Sequence, residues 1–191
     1  MQSFEYIPLS SWLGNADTLY LDARVLWLQG DGLGSGLILM WLAIEQLIKT
    51  VVFQDRIQNR ELKAKDAEAV FAEFDSWGKK INHSFASNLN ALYTHHSDLF
   101  SEDEKKVLQN VYEHFEARYV DNKSRGIEIK ALNVLDEIYF RLRDLISEDL
   151  PMSHIDMIDV HRKSEMYRLS DYTRFAFTDN PHFHARAHYR T

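Results

Sequence analysis

The chain of 191 residues contains no cysteine. That excludes disulfides, a thiol nucleophile and a zinc–thiolate centre, and it fits a reducing cytosol. Proline and glycine are scarce, at 3 and 7 residues. An all-β fold uses such residues in its turns, so their scarcity points to helices. A surplus of positive charge is missing as well. The formal net charge is −7, which argues against broad electrostatic binding of nucleic acid. The opening "MQSFEYIPLSSWLG" has no basic stretch followed by an apolar core, so it does not read as a signal peptide. Nor is there an apolar run of membrane length. The unbroken run covers residues 37 to 44, whereas a spanning helix takes about 20 residues. Extending it to residue 53 takes in Glu45, Gln46 and Lys49, each costly in lipid. The stretch "WLAIEQLIKTVVF" is therefore expected to be the central helix of a bundle, apolar on most sides because other helices surround it. No membrane association is expected.

The composition is that of an ordinary globular chain, 45% hydrophobic and 27% charged. Its length suits one domain with a small appendage. Asn15 is a good N-cap, so a first helix is expected from there to about residue 29, with Leu19, Ala23 and Leu26 as its stripe and "GDG" at 30–32 as its end. The glycines at 32, 34 and 36 favour a loop before a central helix over 37–55. "RIQNRELKAK" reads as a loop or a continuation of that helix. Val70, Phe71, Phe74 and Trp77 make a third stripe, stopped at Gly78. Phe85, Leu89 and Leu92 make a short fourth. Ser101 with Glu104 is a capping box, opening a helix with Val107, Leu108, Val111, Tyr112 and Phe115 inward. Leu132, Leu135, Ile138, Leu142 and Leu145 mark a helix over 130–147, closed by Pro151. No repeat, low-complexity run or strand is apparent in the first 150 residues.

The pattern changes after residue 150. Residues 152–191 are rich in Met, Tyr, Phe, His and Arg without clear periodicity, too apolar for a free tail. A short helix near 154–161 followed by irregular chain is expected. Residues 161–191 carry six Lys or Arg against three Asp or Glu. With +3 on that stretch and −7 overall, the rest carries −10. A basic, aromatic segment on an acidic body is suited to dock on that body or on a partner. The expected architecture is an all-α, up-and-down helical bundle of about five or six helices over 1–150, with an irregular C-terminal extension over 151–191.

Three pieces of sequence then fall in order. "AIEQLIKTVV" (43–52) sets Glu45 and Lys49 four apart in an apolar helix. "HSFASNLNAL" (83–92) opens a short helix with His83. "VYEHFEARYVD" (111–121) carries Tyr112 ahead of Arg118 and Tyr119. Together they resemble the HEPN family, the higher eukaryotes and prokaryotes nucleotide-binding domains. Those are α-helical bundles with an "E..LK" central helix, a "H.L..L" helix and a "Y...RY" helix end. The resemblance covers roughly residues 15–147. It implies a binding or regulatory role, as a dimer or beside a small nucleotidyltransferase, or else an RNA-cleaving one. The family's ribonucleases carry an Arg followed roughly four to six residues later by a His, on one helical face. None of the nine histidines here has an Arg at that distance before it; Arg174 and His182 have seven residues between them. The chain is thus expected to be non-catalytic, to need no cofactor, and to be a cytoplasmic homodimer with a nucleotide- or RNA-related role. A ribonuclease with a displaced motif is a further alternative.

Each candidate residue has a structural alternative. Glu45 and Lys49 contact a ligand, or simply offset each other at the edge of the core. His83 shuttles protons or binds phosphate, or caps a helix start. Arg118 with Tyr119 grips a phosphate, or satisfies the last carbonyls of its own helix. His184 and His188, within "HFHARAH" that also includes His182, are spaced i, i+4 and would chelate a metal if helical. That spacing supports a second reading, a metal-dependent DinB-like four-helix-bundle enzyme with His83 as a third ligand; the alternative is a packed or solvated tail. His95 and His96 suit the negative end of the fourth helix and are assigned no function.

Overall fold

The computed structural model describes residues 7–28, 33–62, 66–117 and 131–146. They form an all-α bundle of six helices with no strand among the described residues: α1 (Ile7–Leu28), α2 (Leu33–Gln58), α3 (Ala67–Ile81), α4 (Phe85–Tyr93), α5 (Glu102–Ala117) and α6 (Ala131–Asp144). The C-terminal extension and its expected helix lie outside the described residues, as do the "GDG" at 30–32 and Pro151.

The central helix is α2. It packs against α1, α4, α5 and α6, and every residue from Leu47 to Gln54 is buried. By length and composition alone it passes for a membrane span, with mean hydropathy 1.7 in its most apolar window, yet 78% of that window is buried inside the bundle. Its apolarity is accounted for by its neighbours. Each fully buried side chain such as Trp41, Ile44 or Leu47 contributes on the order of 1.5–3 kcal/mol.

Three expected boundaries move, each because packing outweighs a local signal. First, α1 starts at Ile7, so Asn15 is an exposed residue inside the helix rather than its cap. Leu9, Leu13, Ala16, Tyr20, Ala23 and Trp27 form its buried face, and that face needs the extra two turns. Pro8 is tolerated there because a first-turn nitrogen has no intrahelical partner. Leu19 and Leu26 are only partly buried.

Second, α2 starts at Leu33, with Gly34 and Gly36 inside it. A Cβ on Gly36 would sit 3.0 Å from the Ala23 carbonyl oxygen and 3.3 Å from the Trp27 nitrogen. The missing side chain is what lets α1 and α2 approach backbone to backbone. At its far end α2 runs on to Gln58, and Arg60 takes φ 58 while Glu61 N–H donates to the Arg56 carbonyl.

Third, Gly78 does not stop α3. The helix continues to Ile81, and Gly78 makes room for the Trp12 ring, 3.1 Å from where its Cβ would be. Trp12, Phe53, Phe74 and Trp77 form an aromatic cluster joining α1, α2 and α3. Phe71, expected inward, is 43% exposed.

The remaining helices follow their patterns. Leu89 and Leu92 of α4 are buried, as are Leu108, Val111 and Phe115 of α5 and Leu132, Leu135, Ile138 and Leu142 of α6. The capping box is formed. Ser101 N–H donates to the Glu104 carboxylate at 2.7 Å, and Glu104 N–H donates to Ser101 Oγ at 3.3 Å.

Candidate functional site

Two buried polar groups interrupt this core. The first is built on α2. Glu45 is fully buried, and Lys49, one turn later, reaches its Oε1 with Nζ at 2.5 Å. The i, i+4 spacing puts both on one face. Desolvating two charges is tolerated only where each is paired and hydrogen-bonded.

A third member arrives from elsewhere in the chain. His83 Nδ1 lies 3.0 and 2.9 Å from the two Glu45 carboxylate oxygens, although 38 residues separate them. The turn that delivers it is well fastened. Asn82 ends α3 at φ 56 and ψ −153, a positive-φ conformation outside the left-handed helical region. Ser84 caps α4 by accepting from Ser87 N–H. The buried Asn88 side chain donates to the Asn82 and Ser84 carbonyls at 3.3 and 2.8 Å. His83 therefore stands just outside the α4 cap. Its role is to meet Glu45 rather than to cap the helix. Its ring is 49% exposed while Glu45 is 0% exposed, so it links the buried pair to solvent. A carboxylate only accepts hydrogen bonds, so Nδ1 donates, and in the neutral ring Nε2 is then an acceptor.

Beside this group opens a cavity of about 260 Å³ lined by Trp12, Lys49, Phe74, Asp75, Gly78, Lys79, Asn82 and His83. Trp12 and Phe74 supply an aromatic wall. Lys79 pairs with Asp75 at 2.5 Å, both largely exposed. The structure thus brings three of the sequence candidates, Glu45, Lys49 and His83, to one place. Arg118 and Tyr119 lie outside the described residues, and so do His184 and His188. Among the described residues there is no group of three His, Cys, Asp or Glu side chains able to hold a metal.

The second buried group was not visible as a site in the sequence. Asp17, Tyr20 and Arg24 of α1 repeat the spacing of Asp136, Tyr139 and Arg143 of α6. The two triplets bond reciprocally. Tyr20 and Arg24 donate to Asp136, at 2.5 Å from the hydroxyl and 3.0 Å from Nε. Tyr139 and Arg143 donate to Asp17, at 2.5 Å and 3.3 Å. The two tyrosine rings stack between them at 3.8 Å. Such pairing requires α1 and α6 to run antiparallel. Burial holds the Tyr139 hydroxyl well above its usual pKa, and the Asp17 charge adds to this. The signal available in sequence was the repeated D-x-x-Y-x-x-x-R spacing. The group is sealed in the core, and we read it as a clasp.

The adjacent histidines also gain partners. His96 Nε2 lies 3.0 Å from the Asp55 carboxylate and His95 lies 3.9 Å from that of Glu61. Both follow the end of α4, where their backbone N–H groups donate to the Leu92 carbonyl. They tie α4 to the end of α2.

Comparison with protein-family models, with curated proteins and with solved structures returned no match for this chain.

Proposed function

We propose that this chain is a non-catalytic binding or regulatory module of HEPN type, which holds a nucleotide-related ligand over Glu45, Lys49 and His83. One observation carries the reading. The "EQLIK" piece (45–49) and the "HSFASNLNAL" piece (83–92), distant in sequence, meet through the hydrogen bonds between His83 and Glu45 at the wall of an open cavity. A histidine and a lysine beside aromatic side chains are groups that suit a base. In this reading Arg118 and Tyr119 belong to the same ligand, and the protein works in the cytosol as a homodimer or beside a nucleotidyltransferase.

The test is a titration of ¹⁵N-labelled full-length protein with AMP and CMP. Shifts confined to Lys49, Lys79, Asn82 and His83, weakened at least tenfold by Glu45→Ala in a folded variant, support the reading. Unchanged spectra at millimolar nucleotide refute it. Light scattering tests the dimer: a mass near the 22.5 kDa of one chain at micromolar concentration refutes it.

A further inference from the structure

We infer that the cavity beside His83 takes a neutral, planar heteroaromatic ring bearing an exocyclic amino group, and not an isolated phosphate. The inference rests on the cavity being the ligand site and specifies what part of a ligand enters it. Size is the first argument. At about 260 Å³ the cavity falls just short of the roughly 300 Å³ at which sites for whole small molecules begin. One small ring system fits; a complete nucleotide does not.

Charge is the second argument. Each lining lysine already faces a carboxylate: Lys49 faces Glu45 and Lys79 faces Asp75, both at 2.5 Å. With a neutral imidazole, no net positive charge is left in the wall to attract a phosphate. A neutral ring carries no such requirement, and the Trp12 and Phe74 side chains in the lining offer it apolar contact.

The third argument is the pattern of donors and acceptors. With Nδ1 donating to Glu45, the neutral form of the His83 ring presents a lone pair at Nε2. That lone pair accepts from an amino group. Lys79 carries three ammonium donors, and Asp75 takes one of them. Another would donate to the ring nitrogen or carbonyl next to the amino group. An amino group adjacent to a ring acceptor is the edge that cytosine presents, and uracil reverses it.

The experiment compares cytosine, uracil and inorganic phosphate by the same amide-shift titration of the full chain near neutral pH. Cytosine should move Lys79, Asn82 and His83 and bind at least tenfold more tightly than uracil; phosphate alone should move none of them. Glu45→Gln supplies a sharper test. Its amide NH₂ would donate to Nδ1 while its carbonyl still accepts from Lys49. Nε2 then becomes the donor, and the cytosine preference should disappear. His83→Leu, at a half-exposed position, should lower cytosine affinity tenfold and leave uracil unchanged. Binding of phosphate and AMP without cytosine would overturn this inference and leave the nucleotide reading standing. A cytosine preference unchanged in folded Glu45→Gln or in His83→Leu would also overturn it. Silence with all probes, AMP included, would remove the site itself.

Discussion

Tyr139→Phe isolates one bond of the α1–α6 clasp. Tyr139 and Asp17 are both fully buried. The hydroxyl approaches Asp17 Oδ1 at 2.5 Å, whereas Arg143 holds the same carboxylate only from 3.3 and 3.4 Å. The phenol is thus the closer partner of a buried charge. Phenylalanine keeps the ring and its stacking on Tyr20 at 3.8 Å, so no void opens. What is lost is a hydrogen bond to a charged acceptor, about 1.5–3 kcal/mol. Taking about 2 kcal/mol, the folded-to-unfolded ratio falls roughly 30-fold. In urea, with a denaturant slope of about 2 kcal/mol per molar, the midpoint moves down by about 1 M. Circular dichroism at 222 nm reads the transition. A midpoint within about 0.2 M of the parent at unchanged slope would refute the claim that the hydroxyl holds Asp17 in the core.

The same residue sets an alkaline dependence. Burial, and then Asp17, raise the Tyr139 pKa well above 10.0, so the folded chain keeps its proton where the unfolded chain loses it. Its contribution is complete below pH 10 and is lost as pH rises from there toward the folded value, at up to about 1.4 kcal/mol per pH unit. Tyr139→Phe should show a shallower alkaline loss than the parent, and equal slopes would contradict the assignment. Two glycines should respond in opposite directions. Gly14 has nothing within 4 Å of an added Cβ, so Gly14→Ala should stabilise by about 0.5–1 kcal/mol. Gly36→Ala meets backbone at 3.0 Å and should cost about 1–3 kcal/mol; a gain in melting temperature for Gly36→Ala would undo the close-approach argument. Ile44 is 0% exposed, and Ile44→Asp should cost several kcal/mol by burying an unpaired carboxylate; an unchanged melting temperature would sink the core assignment. The purified protein should leave a mixed RNA pool uncut, since no histidine follows an arginine at the ribonuclease spacing. Cleavage abolished by a single substitution in the chain would show otherwise.

Much of this protein is legible from one stretch of chain at a time. The Ser101–Glu104 box, the Glu45–Lys49 pair and the stripes of α5 and α6 join residues three or four apart. Helical geometry alone brings such residues together, whatever the rest of the chain does. The all-α class follows in the same way from scarce glycine and proline and the 3.6-residue period. Local rules failed where a distant surface competed with them. Asn15 has the chemistry of a cap, but Leu9 and Leu13 gain more by extending α1 onto the core. Gly78 has the chemistry of a stop, but the Trp12 ring uses its space. The candidate site shows the same division. Glu45 and Lys49 stand out in sequence as charges in an apolar helix. That His83 is their third partner depends on how the α3–α4 turn lies over α2, 38 residues away. The spacing shared by Asp17, Tyr20 and Arg24 with Asp136, Tyr139 and Arg143 was likewise present in the sequence, but its meaning was not. Only the antiparallel packing of α1 on α6 buries all six side chains together. Once they are out of water, each donor must find its acceptor across the interface, because no nearer group can replace the lost solvent.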